Sequence, residues 1–137
     1  MKQEDKEWLL KDLCARLPYG VMCKWYGDGV TGIGKLDSVC KMKTSAGFEY
    51  WDCYFEDDGD DIPIEIVKPF LRSMSSMTQE EIEKYRQLCE TDDGDFTGEP
   101  LYFNTCESFD YLNSIHVDYR NFIQRGLALE APKDMYK

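Results

Sequence analysis

A single histidine, His116, occurs in the 137 residues of the chain. Any nucleophilic chemistry of the Cys-His or Ser-His kind must run through it, with Cys106 or Ser108 as the nearby nucleophile and Asp118 as the group that would orient the imidazole. The sequence has no G-x-S-x-G elbow and no catalytic-cysteine signature, and a histidine between two helices is more often structural. No catalytic residue is therefore assigned, and an enzyme built on His116 would require a cleft that contains it.

Two other patterns have the letters of a ligand site. Gly27 to Gly32 matches the dinucleotide fingerprint G-x-G-x-x-G, and Gly29 through Lys35 matches a P-loop up to its last position. There Leu36 stands where a hydroxyl would hold Mg²⁺, and a strand pattern follows where both motifs need a helix N-terminus. A glycine-rich hairpin is the expected structure. Glu56 to Asp61 packs five carboxylates into six residues, and Asp92, Asp93 and Asp95 add three more. Neither run fits an EF-hand, because the position five before each internal glycine is Tyr54 or Cys89 rather than an acid. These runs read as solvated loops, and no metal or cofactor is expected.

The elements that must position these residues follow from periodicity. Residues 3 to 17 read as an amphipathic helix, with Leu9, Leu10, Leu13, Cys14 and Leu17 inward and Lys6, Glu7, Lys11 and Arg16 outward. Pro18 to Gly20 ends it. Alternation then marks three antiparallel strands: Val21 to Tyr26, a second carrying Leu36, Cys40 and Met42, and a third carrying Trp51, Cys53 and Phe55. Tyr50 and Tyr54 fall on the face opposite Trp51 and Phe55. Residues 62 to 77 read as an extended crossover or edge strand, and Thr78 with Glu81 forms a capping box that starts a second helix. Residues 90 to 100 read as an exposed loop. Another helix is expected near Thr105 to Ile115 with Phe109 and Leu112 inward, and a short last one from Asp118 to Gly126.

The fold class is α+β: an N-terminal helix, a curved antiparallel sheet of three or four strands resembling a small SH3-like barrel, and two or three C-terminal helices. Residues 1 to 137 form one domain, divided into a helix (1 to 19), a sheet with its crossover (20 to 77) and a helical half (78 to 137). The six cysteines form no C-x-x-C and sit mostly among apolar neighbours, so reduced thiols are expected. No apolar run approaches a membrane span or a signal-peptide core, which makes the cytoplasm the expected location.

The net charge of −11 is concentrated in the middle of the chain. Residues 56 to 118 hold 17 acidic and four basic side chains, whereas residues 1 to 55 hold eight of each. Such a balance disfavours direct grip on a nucleic-acid backbone or an anionic membrane. It suits a protein partner of basic character.

Three blocks carry a resemblance. Lys11 to Val21 (KDLCARLPYGV), Val67 to Thr78 (VKPFLRSMSSMT) and Asp118 to Ala128 (DYRNFIQRGLA) look like those of a family of short uncharacterised proteins common in gut bacterial genomes and their prophages. The resemblance implies no activity, cofactor or catalytic residue. Physically the three blocks are joints between elements, which leaves recognition to the loops and strand faces between them. The expected function is a non-enzymatic protein-binding or regulatory module using Asp57, Asp58, Asp60, Asp61, Tyr50 and Tyr54. An acidic mimic of nucleic acid that blocks a DNA-binding protein is one alternative, and a small enzyme built on His116 is another.

Overall fold

The computed structural model describes residues 1–27, 29, 31–92 and 100–136. The acidic residues Asp93, Asp95 and Glu99 lie outside that set.

Helix α1, Gln3–Arg16, forms because Leu9 and Leu13 recur one turn apart and are fully buried. Two expectations for it fail. Arg16, read as an exposed charge, is fully buried with Asp12 on the same helix face, and Cys14, read as part of the apolar stripe, is exposed. A salt bridge one turn long lets a charged pair take core positions that the leucine stripe otherwise fills.

Strands β1 (Met22–Tyr26), β2 (Thr31–Lys43) and β3 (Glu49–Phe55) make the antiparallel meander that alternation predicts. Trp25, Cys53 and Phe55 point to the face that packs against Leu9 and Leu13 of α1. A register shift between Leu36 and Ser38 moves Val39 inward opposite Cys53, so Cys40 and Met42 leave the face that Leu36 occupies. Gly32 has a steric role. A Cβ there would lie 2.1 Å from the Trp25 ring, which stacks on Phe55 with centroids 4.3 Å apart. The glycine run is thus a hairpin whose second strand makes room for an indole. No phosphate-cradling helix follows it.

Beyond the meander come the short edge strand β4 (Ile62–Pro63), a 3-10 turn at Ile64–Ile66 and strand β5 (Val67–Leu71), which pairs with β1. Helix α2 spans Gln79–Leu88 behind the expected Thr78/Glu81 capping box. The expected exposed loop of residues 90 to 100 begins instead with strand β6 (Glu90–Asp92), which pairs antiparallel with β7 (Leu101–Phe103) just past its end, apart from the main sheet. Helix α3 covers Cys106–Ser114, with Leu112 buried as expected and Phe109 exposed instead of inward.

No helix forms from Asp118 to Gly126. Asn121 adopts φ 62°, which breaks the α progression, and the Asp118 carboxylate accepts the Phe122 and Ile123 N–H groups at 2.8 and 2.9 Å. Gly126 has the expected left-handed φ of 76°, and the Leu127 N–H bonds back to the Phe122 carbonyl, but they close a run of turns and not a helix. Strand β8, Leu129–Glu130, then joins β5 in parallel. The sheet is therefore mixed and six-stranded in the order β4-β3-β2-β1-β5-β8, not antiparallel with three or four strands, and its linear order shows no barrel closure. The α+β class holds. Among the described residues, no helix is long and apolar enough to cross a membrane.

Candidate functional site

The structure separates the expected surface into two parts. Along β3, Tyr50, Asp52 and Tyr54 face away from α1, opposite Met42, Cys40 and Ser38 of β2. Tyr50 is exposed and Tyr54 half-buried, while Asp52 between them keeps only 2% of its surface. Burial pushes the Asp52 carboxyl up, as does a hydrogen bond with Asp61, whose charge adds to the effect. The Tyr54 phenol is also raised, by desolvation and then by the charges of Asp61 and Asp52. Asp61 is thus the acidic-turn residue that meets the strand face.

Asp57, Asp58 and Asp60 shape the turn itself. Asp57 takes a left-handed φ of 63°, and the Asp58 carboxylate accepts the Asp60 N–H at 3.0 Å. Tyr50 stands four residues before Tyr54 on the same strand face, about 13 Å away by strand rise, and adds a smaller contribution to the rise of the Tyr54 phenol. Among the described residues no group of three His, Cys, Asp or Glu is placed to hold a metal ion.

His116 lies elsewhere, on the wall of a cleft of about 830 Å³. It occupies the residue after the C-cap of α3, where its N–H bonds to the Asn113 carbonyl and the Val117 N–H reaches back to the Leu112 carbonyl. This is the Schellman arrangement, with histidine at φ 61° in the position glycine favours. Its ring is 3.8 Å from that of Tyr136 and nearly parallel to it. The Tyr136 hydroxyl donates to the Phe70 carbonyl at 2.6 Å and accepts the Met22 N–H at 2.9 Å, which fixes the stack against β1 and β5. Burial, helped by the Arg16 cation, lowers the imidazole to about 4, so the ring is neutral at pH 7. Its Nδ1 is buried and has no hydrogen-bond partner among the described residues.

The three residues expected to serve His116 in nucleophilic catalysis are engaged elsewhere or exposed. Cys106 is exposed at the start of α3, Ser108 closes the second capping box with Thr105, and Asp118 is spent on the backbone of Phe122 and Ile123. None of the three lines the cleft. Its walls instead carry Arg72 and Glu81, joined by two hydrogen bonds of 2.8 and 2.7 Å that hold the Glu81 carboxyl down to about 2.

Behind the cleft sits a charged cluster that sequence reasoning missed. Arg16 Nε donates to Asp12 at 2.9 Å, Arg16 Nη2 to the Val117 carbonyl at 2.7 Å, and Arg120 Nε to the other Asp12 oxygen at 3.3 Å. Desolvation still leaves Asp12 above the usual carboxylate value. The four-residue spacing of Asp12 and Arg16 signals an ion pair on a helix, but not its burial. Compared with known proteins, the chain matches no family model, no curated protein and no solved structure.

Proposed function

We propose that this chain is a non-catalytic protein-binding module that meets a partner of basic character through the outer face of β2 and β3 and the acidic turn that follows. The observation that carries this reading is the pairing of exposed Tyr50 and half-buried Tyr54 on the face away from α1, with Asp61 drawn onto it beside Asp52. Tyrosine gives large, stiff contact area with a polar tip, and carboxylates at the rim select and steer a basic surface. Ile33 and the hairpin-tip residue Phe48, 56% and 74% exposed, extend the apolar part of the same hairpins. The dispersal of Cys106, Ser108 and Asp118 away from His116 weighs against an enzyme on that residue. The three-block resemblance supports a mobile-element origin.

The test is affinity capture from a gut bacterial lysate with the wild-type chain, a Tyr50→Ala/Tyr54→Ala variant and an Asp57→Asn/Asp58→Asn/Asp60→Asn/Asp61→Asn variant. The expected result is one protein that is retained by the wild type, lost with both variants and released by salt. Repeated capture of nothing specific, or equal retention by all three chains, would overturn the reading. A partner that duplex DNA displaces would instead favour the mimic.

A further inference from the structure

We infer that the cleft lined by His116 is a binding site for a small primary amine carrying an apolar or aromatic body. This goes beyond the surface proposed above and shares with it Lys35 and Asp37 of β2 and Glu56, which begins the acidic turn.

The polar groups of the cleft divide into those already satisfied and those left open. A guanidinium has five N–H donors. In Arg72 all five are engaged: Nε with Ser76 Oγ, Nη1 with Glu81 and the Ile115 carbonyl, and Nη2 with Glu81 and the Ser76 carbonyl. Arg72 therefore offers nothing to an anionic ligand, and Glu81 is neutralised by the same contact; the other cation of the lining, Lys35, lies toward Glu56. Apart from Lys35, the charged groups left open in the lining are acceptors. Asp37 lines the cleft and makes no ion pair among the described residues. Glu56, half exposed, is 4.0 Å from Lys35 Nζ, at the limit of an ion pair. The neutral His116 ring adds Nδ1, which is buried and without a partner.

A ligand that complements two carboxylates and an imidazole must bring donors and positive charge, and an ammonium group does both. Lys35 is the cation in the lining that competes for these acceptors. Its stem lies across Gly20, where a Cβ would meet Lys35 Cε at 3.1 Å, so it can swing away from Glu56 without disturbing the core. The ligand's body is set by the rest of the lining. Leu17, Met22, Leu36 and Met135 are apolar, and the Tyr19 and Tyr136 rings stand at the cleft, Tyr19 with 40% of its surface exposed. A cleft of about 830 Å³ suits a small organic molecule.

The backbone supplies an independent reason to look here. Glycine would close α3 with less backbone strain than a histidine held at φ 61°. The imidazole is kept at a strained position, on a cleft wall, with one nitrogen unused.

The test uses isothermal titration calorimetry of the full chain at pH 7.5 with phenethylamine, its uncharged analogue phenethyl alcohol, and spermidine. Phenethylamine should bind one to one, at least tenfold more tightly than the alcohol. Asp37→Asn/Glu56→Gln, two exposed positions whose exchange leaves the fold intact by circular dichroism, should weaken it at least tenfold. Lys35→Met should tighten it, because a competing cation is gone. His116→Gly, which relieves the backbone, should abolish binding while the chain stays folded. No binding of phenethylamine, equal binding of the alcohol, or unchanged affinity in Asp37→Asn/Glu56→Gln or His116→Gly would each overturn the proposal. Spermidine bound as well by wild type and variants, without phenethylamine binding, would show attraction to the overall negative charge only and would also overturn it.

Discussion

Acidification should destabilise this protein through His116 before most carboxylates titrate. The imidazole is 4% exposed, and its burial together with the nearby Arg16 and Arg72 cations brings it from 6.5 to about 4, although a hydrogen bond to the Tyr19 backbone pulls the other way. Below pH 6.5 the unfolded chain takes up a proton that the folded chain refuses. The contribution is therefore complete above pH 6.5 and is lost as pH falls toward 4. The gap between the two values corresponds to about 3 kcal/mol, of which about 2 kcal/mol is gone by pH 5. Other groups titrate in the same region: Glu81, held at about 2, loses its contribution below pH 4.5, whereas raised Asp12 and Asp52 act in the opposite sense. A variant isolates the histidine term. Urea unfolding of the wild type and of His116→Asn, whose side chain tolerates a left-handed backbone, should show a stability difference that shifts by about 2 kcal/mol against the wild type between pH 7.5 and 5. Because the chain has one histidine, its Cε1 proton in the NMR spectrum reports the folded-state titration without assignment. A midpoint between pH 6 and 7 in the folded protein would refute the reasoning, since it would mean that the ring is hydrated or paired.

Three further perturbations test the frame. Gly32→Ala places a methyl group 2.1 Å from the Trp25 ring and should cost about 2 to 3 kcal/mol in urea unfolding, with changed tryptophan fluorescence as the stack on Phe55 is displaced. Arg16→Met strands the buried Asp12 and should cost about 3 to 5 kcal/mol, while Asp12→Leu/Arg16→Met, which removes both charges, should cost distinctly less; equal losses would contradict a buried pair. Tyr136→Phe removes the hydroxyl that serves the Met22 N–H and the Phe70 carbonyl, and a loss of about 1 to 3 kcal/mol should appear as a lower thermal midpoint.

The clearest sequence signals were local ones. Leucines one turn apart in α1, alternation in β1 and β3, the Thr78/Glu81 box and the left-handed Gly126 each depend on neighbours within a few residues, and each is present in the fold. Signals failed where a distant or very short segment decided the outcome. Pairs of residues such as Ile62–Pro63 and Leu129–Glu130 are too short to show a period, yet they complete the sheet. One register shift after Leu36 reverses which side Cys40 and Met42 face, because side chains alternate with every residue. One left-handed Asn121 replaces a helix with turns.

The same division holds for the candidate sites. By itself the sequence determined that Tyr50 and Tyr54 share a strand face, that the negative charge gathers after residue 55, and that one histidine must carry any imidazole chemistry. Only the tertiary structure decided that Asp61 reaches Asp52, that Asp12 and Arg16 are buried together, and that His116 meets Tyr136 rather than Cys106 or Ser108. The reason is physical: periodicity records which way a side chain leaves its own element, but burial, a carboxyl's affinity for its proton and the spare valence of a nitrogen depend on groups that other elements bring to it.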